Sequence, residues 1–205
     1  MKRDRHIRTS PVPSCPTRRR VRGATTVLAL AAAAVLTVAP AVWAPTATAD
    51  TDYGDGCVLY PDNPAATVAA LHDRCSPHQQ YLVYQAAQRG DVPTGGTNGW
   101  VTSPPLMETV APPFWIGKNF ATAPDGGTLI NRITAAGIEG FPANVFSGPS
   151  PIDGAPTWLL DYAPSITPQI LDEIRQVTPG VWFGYSWWRG YFQTVPLLTF
   201  ALTEQ

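Results

Sequence analysis

The chain has 205 residues, with 14 Lys and Arg against 15 Asp and Glu. That near-neutral balance is unevenly spread: eight of the basic residues precede Asp50 and only Asp4 among the acids does, leaving six basic against fourteen acidic residues, about −8 net. So acidic a remainder repels phosphate backbones and anionic membranes, which disfavours nucleic-acid binding, and its length suits one domain with its own core.

Residues 1–49 have the three-part layout of a secretory signal peptide. Lys2–Arg22 is basic, Gly23–Val42 is rich in Ala, Val and Leu, and Ala47-Thr48-Ala49 is a small-residue cleavage site before Asp50. A membrane anchor fits less well, because Pro40 and Pro45 interrupt the apolar run; no cysteine ends it, which argues against a lipoprotein. Arg18-Arg19-Arg20 leaves the general and twin-arginine export routes both open. The expectation is a secreted, extracellular protein, cleaved near Ala49, with no stable membrane anchor afterwards. Cys15 leaves with the leader, so Cys57 and Cys75 remain as an even pair in an oxidising compartment and are expected to form a disulfide. A metal site from His72, Cys75 and His78 is not expected: these spacings do not share a helical face, Pro77 interrupts them, and structural sites need four placed ligands.

An acidic, mobile start is expected over Asp50–Asp55. Asn63-Pro64 is an N-cap followed by proline at the first helical position, and Val68, Leu71 and Cys75 repeat near helical spacing. Ser76-Pro77 opens a second helix carrying Tyr81, Leu82, Tyr84 and Ala86, which stops by Gly90. Residues 50–95 therefore read as a helical cap stapled by the disulfide, a lid or plug on the C-terminal half of the chain. From Asp91 apolar runs shorten and turn signals recur at Pro124-Asp125-Gly126-Gly127, Ser147-Gly148-Pro149 and Asp153-Gly154. Such spacing indicates an antiparallel sheet or barrel, here over residues 96–205 and packing with the cap as one domain. Strands are predicted at Asn98–Thr102, Phe114–Phe120, Thr128–Thr134, Ile138–Phe146, Pro156–Tyr162, Val181–Arg189 and Leu197–Thr203. Ile170–Val177 suits helix or strand; the reading adopted is a helical turn at Pro168–Leu171 running into a strand. The fold class is mainly β (α+β).

Alternation along strands assigns faces. Lys118 shares a face with Phe114, Ile116 and Phe120, and Arg132 shares one with Ile130. Asp161 follows Leu159, while Trp158, Leu160 and Tyr162 line the opposite side. A charge buried alone costs several kcal/mol, so a partly buried network of Lys118, Arg132, Asp161, Asp172, Glu173 and Arg175 is expected. It would either form the polar end of an apolar pocket, orienting a ligand carboxylate, carbonyl or hydroxyl, or pin strands in register. In Val181–Arg189, Trp182, Gly184, Ser186 and Trp188 fall on one face and Phe183, Tyr185 and Trp187 on the other, so both faces need covering. Gly184 marks a bend or a close backbone approach. Tyr162 and Tyr185 offer hydroxyls to a ligand.

No phosphate loop, dinucleotide fingerprint or metal cluster is present in the sequence, so no cofactor is expected. Gly184-Tyr185-Ser186 lacks the rest of a nucleophile elbow and no histidine follows it. Asp161 and Glu173 are the candidate proton carriers if the pocket is catalytic.

The run Trp115-Ile116-Gly117-Lys118-Asn119-Phe120, then Asn131-Arg132, Asp153-Gly154 with Pro156, Leu160-Asp161-Tyr162, and Asp172-Glu173-Ile174-Arg175 with Pro179-Gly180 and Gly184, resembles a group of largely uncharacterised actinobacterial secreted proteins. These are similar to the lipocalin-like domain family known for a Gly-x-Trp-x-Gly start. The likeness covers about Trp115 to Leu202 and implies a calycin-like antiparallel β-barrel. It marks Lys118, Arg132, Asp161, Glu173 and Arg175 as positions of interest. The family's opening is not matched; Gly95-Gly96-Thr97-Asn98-Gly99-Trp100 is the nearest equivalent. The functional expectation is a binder of a small apolar or amphipathic molecule, with Lys118, Arg132, Asp161, Tyr162, Glu173, Arg175 and Tyr185 as ligand-contact candidates. The alternatives are an isomerase, cyclase or hydrolase using the same pocket, and an extracellular interaction protein docking through Trp187 or Trp188.

Overall fold

The computed structural model describes residues 48–134 and 136–205, so the expected leader lies outside the described residues but for Thr48 and Ala49. The segment expected to be mobile instead forms a small antiparallel pair, β1 (Thr51–Asp52) with β2 (Val58–Leu59). Helix α1 (Pro64–Asp73) starts where Asn63 accepts a hydrogen bond from the Ala66 amide, with proline in its first turn. Helix α2 (Pro77–Ala86) starts at a reciprocal Ser76–Gln79 capping box. Cys57 and Cys75 are bonded, tying the β1–β2 arm to the end of α1.

The remaining strands are β3 (Gly95–Ser103), β4 (Gly117–Ala123), β5 (Gly126–Arg132), β6 (Glu139–Pro149), β7 (Pro156–Asp161), β8 (Ile170–Thr178), β9 (Val181–Arg189) and β10 (Thr194–Glu204), with a short helix α3 (Pro105–Val110) between β3 and β4. Each pairs antiparallel with the next, and β10 returns to pair with β3, closing an eight-stranded up-and-down barrel. This is the architecture of the lipocalin-like barrels, with no free sheet edge. The glycine-rich Gly95–Trp100 run belongs to the first barrel strand.

Several boundaries differ from expectation, each for a local reason. Phe114–Ile116 is not strand: the Phe114 and Trp115 amides donate to Ala111 O, prolonging α3, and β4 begins only at Gly117. The signal for α3 was present in Pro104-Pro105 followed by Glu108 in the first turn. Ser147-Gly148-Pro149 is not a turn but the end of β6; a Cβ at Gly148 would lie 2.5 Å from Leu159 Cδ1, so a larger residue there would have to displace that side chain. No helical turn precedes β8, which is strand from Ile170 on, with Ile170 opposite Trp188 and Leu171 opposite Trp187. The four-residue step from Ile170 to Ile174 satisfies both a helix turn and two strand steps, which is why the sequence was ambiguous.

Alternation along the strands produces two apolar layers. Phe120, Leu129, Val145, Trp158, Leu160, Ile174, Trp182 and Leu202 fill the barrel interior. Val181, Phe183 and Ala201 point outward and pack under α1 and α2 with Val68, Leu71, Val83 and Tyr84. The helical pair thus clothes the outer wall rather than capping the barrel as a lid. Gln80 fixes it there: its amide donates to Thr102 O (2.9 Å) and its carbonyl accepts from Thr199 Oγ1 (2.9 Å). The faces expected for β9 hold, and at Gly184 a Cβ would lie 1.9 Å from Glu173 O, the close backbone approach anticipated.

The two barrel ends differ. At the lower end the α2–β3 connection crosses the opening, accepting from Trp158 Nε1 through Gly90 O (3.2 Å) and from Trp182 Nε1 through Asp91 O (2.7 Å). Arg89 stacks 4.3 Å above the Trp158 ring, and Val92 packs against the interior core. At the upper end the four connections carry exposed apolar residues: Leu106 and Phe114, Ile138, Ile166, and Tyr191 with Phe192, the last two more than 90% exposed.

Candidate functional site

Because the interior core fills only the lower part of the barrel, the upper part holds a cavity of about 410 Å³. That lies within the roughly 300–1,000 Å³ typical of small-molecule pockets. Val101 from β3, Phe141 from β6, Ile170 from β8, and Leu198 and Phe200 from β10 line its sides, and Met107, Val110, Ala111 and Phe114 from α3 and the turn after it form its upper wall. Its floor is polar and buried. Lys118 of β4 points inward as strand alternation predicts, and Nζ donates to Asp172 Oδ2 (2.9 Å), Tyr162 OH (2.6 Å) and Asn131 Oδ1 (3.0 Å). The Tyr162 hydroxyl donates to Asp172 Oδ2 (3.0 Å) and accepts from Asn131 Nδ2 (3.0 Å). Trp115 Nε1 donates to Asn131 Oδ1 (2.9 Å), and the second amide hydrogen of Asn131 goes to Phe141 O (3.0 Å). Lys118 Nζ also lies 5.2 Å from the ring centres of Trp115 and Phe200, a desolvated cation among aromatic rings.

Burial dominates the acid–base character of this floor. It pulls the Lys118 ammonium below its usual range, and Asp172 restores only part of the shift. It pushes the Tyr162 phenol well above its usual value, with the Asp172 carboxylate adding to the effect. Tyr162 is therefore a neutral hydrogen-bonding hydroxyl.

The other expected site residues lie elsewhere. Arg132 sits on the outer side of β5, donating to Thr97 O (2.7 Å). Asp161 is also on the outer side, in a partly exposed ion pair with Arg189 Nη2 (2.5 Å). Burial pushes its carboxyl up, but the bonds from Arg189 and the Ala163 amide hold it below its ordinary value. Glu173, Arg175 and Tyr185 belong to the layer under α2. Glu173 accepts from Tyr84 OH (2.6 Å) and Trp187 Nε1 (2.9 Å), and Arg175 makes a two-pronged pair with Asp153 (2.6 and 2.8 Å) while donating to Tyr84 O (3.0 Å). Tyr185 stacks on Trp187 and meets Tyr84 edge-on. The single network expected from sequence is thus split: Lys118 and Asp172 meet inside the barrel, Glu173 and Arg175 meet Tyr84 outside β8, and Arg132 and Asp161 join neither group. The reason is strand alternation: Asp172 faces in, while Glu173 and Arg175 face out.

Of the ligand-contact candidates, only Lys118 and Tyr162 border the cavity. Asp172, expected in the network, does so too, and Asn131, Ser186, Trp115 and the α3 residues were missed. Asn131 was recoverable, since it occupies the face of β5 opposite Arg132. The surface role proposed for Trp187 and Trp188 divides: Trp187 is buried beside Glu173, and Trp188 is 42% exposed near the upper rim.

No family model matches the chain, and no curated protein does. Among solved structures it is similar to a protein from Thermomonospora curvata, known from a crystal structure, at 19% identity and a TM-score of 0.48, over 68% of this chain and 95% of that one.

The outer network gives a pH signature. Burial raises the Glu173 carboxyl above its ordinary 4.5, and the bonds from Tyr84 and Trp187 offset this only in part. The folded state therefore holds this proton to higher pH than the unfolded chain. The protonated form's stabilisation is full below about 4.5 and is lost as pH rises through the folded value. Glu173→Gln, which stays neutral, should gain stability relative to the parent as pH is raised above 4.5. Thermal melts from acid to neutral pH check this; parallel profiles would show that Glu173 does not carry the shift.

Proposed function

We propose that the protein is a secreted, lipocalin-like binder that takes a small apolar or amphipathic molecule into the upper half of its barrel. The observation that carries this reading is the cavity of about 410 Å³, apolar on its walls and closed below by the buried Lys118–Asp172–Tyr162–Asn131 cluster. An apolar pocket with a few convergent polar groups is the usual form of a small-molecule site. The disulfide fits an oxidising compartment, and among the described residues no helix is long and apolar enough to cross a membrane. The enzymatic alternative loses its proposed proton carriers, since Asp161 and Glu173 both face away from the cavity. The interaction alternative would draw on the apolar upper rim, and Tyr191 and Phe192 there also suit a ligand entering from an apolar phase.

The test is saturable binding of N-phenyl-1-naphthylamine, a neutral apolar fluorophore. One probe should bind per chain. Val101→Trp, which puts an indole into the cavity from a buried wall position, should weaken it at least tenfold while the far-ultraviolet circular dichroism is unchanged. Absence of saturable binding, or unaltered affinity in a folded variant, would refute the reading.

A further inference from the structure

The floor of the cavity has a hydrogen-bonding balance that constrains what binds it. All three hydrogens of the Lys118 ammonium are committed, to Asp172 Oδ2, Tyr162 OH and Asn131 Oδ1. The Tyr162 hydroxyl hydrogen is used on Asp172 Oδ2, and both amide hydrogens of Asn131 are used on Tyr162 OH and Phe141 O. The Trp115 indole hydrogen is used on Asn131 Oδ1. No donor of this cluster is left over. One acceptor is: Asp172 Oδ1 is buried and has no hydrogen-bond partner among the described residues. Asp172 is 4% exposed and borders the cavity, and so does Ser186, its partner across β8 and β9. A buried carboxylate oxygen without a donor is costly, so the site favours whatever supplies one.

From this we infer that the cavity selects a neutral amphiphile bearing a hydroxyl, which donates to the Asp172 carboxylate, whose side chain is 6% exposed, while its hydrocarbon part lies against Val101, Phe141, Leu198 and Phe200. The inference rests on the reading of the cavity as a binding site. A carboxylate ligand brings only acceptors and a negative charge towards Asp172, and the Lys118–Tyr162–Asn131–Trp115 cluster has no donor left to receive it, which leaves only the neutral Ser186 hydroxyl beside it. An ammonium brings donors, but its charge lies close to the Lys118 ammonium, whose attraction to Asp172 already balances the floor. An ether of the same size fills the apolar volume and leaves Asp172 Oδ1 unpaired. The apolar walls contribute to binding of all four; the floor discriminates among them.

Displacement of bound N-phenyl-1-naphthylamine by 1-decanol, decyl methyl ether, decanoate and decylamine separates these cases. Probe binding reports on the cavity itself, and the ranking of the competitors reports on the floor. On the parent protein decanol is expected to displace the probe at least about tenfold more tightly than any of the other three, the scale of one hydrogen bond to a charged acceptor. In the double variant Lys118→Met/Asp172→Leu the advantage over the ether should vanish. With the probe bound, equal displacement by all four, displacement by none, or a preference for decanoate or decylamine overturns the inference. Failure of the probe to bind at all would instead strike at the cavity reading beneath it.

Discussion

Replacing Lys118 with methionine should cost about 3–5 kcal/mol of folding stability, the usual scale when one partner of a buried ion pair is removed. Its side chain is 3% exposed and that of Asp172 6%, so the variant leaves a carboxylate enclosed among apolar walls without its cation. Tyr162 OH and Asn131 Nδ2 lose nothing they donate, but Asn131 Oδ1 keeps the Trp115 indole and a long contact from Tyr162 OH (3.4 Å) in place of the ammonium. The double variant Lys118→Met/Asp172→Leu should recover most of the loss, because both desolvated charges are then gone. Burial already outweighs Asp172 in setting the acidity of Lys118, so the parent keeps this pair at a cost that packing alone would not demand. Urea unfolding of the two single variants and the double variant measures the coupling directly. A Lys118→Met protein as stable as the parent would mean that the floor is wetter than its burial implies. A double variant no better than the single would mean that Tyr162 and Asn131, rather than the charges, bear the loss.

Removing the disulfide with Cys57→Ala/Cys75→Ala should cost about 3 kcal/mol by loop-closure entropy for a separation of 18 residues. For a domain of this size that is roughly 6–12 °C in Tm. The loss should be local in origin. The bond joins the β1–β2 arm to the end of α1, and this arm and helix supply Leu59, Val68 and Leu71 to the outer apolar layer against Val181, Phe183 and Ala201. The barrel is closed by its own ladders without them. Hydrogen exchange should therefore show α1 amides losing protection before those of β8 and β9. Equal loss in the barrel strands would mean that the outer layer and the barrel unfold as one unit. Unchanged exchange in α1 would mean that packing alone holds the arm.

These two expectations draw on opposite faces of the β8 wall, and that division separates what was legible in the sequence from what was not. Local chemistry was legible. Asn63-Pro64 and Ser76-Pro77 marked two helix starts, an even cysteine pair in a chain expected to be exported pointed to the disulfide, and short apolar runs between recurrent turns pointed to an antiparallel sheet or barrel. Alternation also grouped Lys118 with Phe120 and Tyr162 with Trp158 and Leu160, on the faces that turn inward, and Gly184 was read as a bend or close approach. These features depend on neighbours in the chain, so the sequence carries them directly.

What only the tertiary structure decided is which charges meet and which volume stays open. Alternation ranks the two faces of a strand but does not say which is interior when both are covered; helices on the outer wall made Glu173 and Arg175 as buried as any interior residue, and Tyr185 partly so. Strand register then brought Lys118 of β4, Asn131 of β5, Tyr162 beyond β7 and Asp172 of β8 to one level, and left Arg132 and Asp161 a half-turn of the pleat away, on the outside. Whether a barrel is filled or hollow depends on how side chains from eight strands sum in volume across its axis. That sum is fixed by packing between residues distant in sequence, and no single segment contains it.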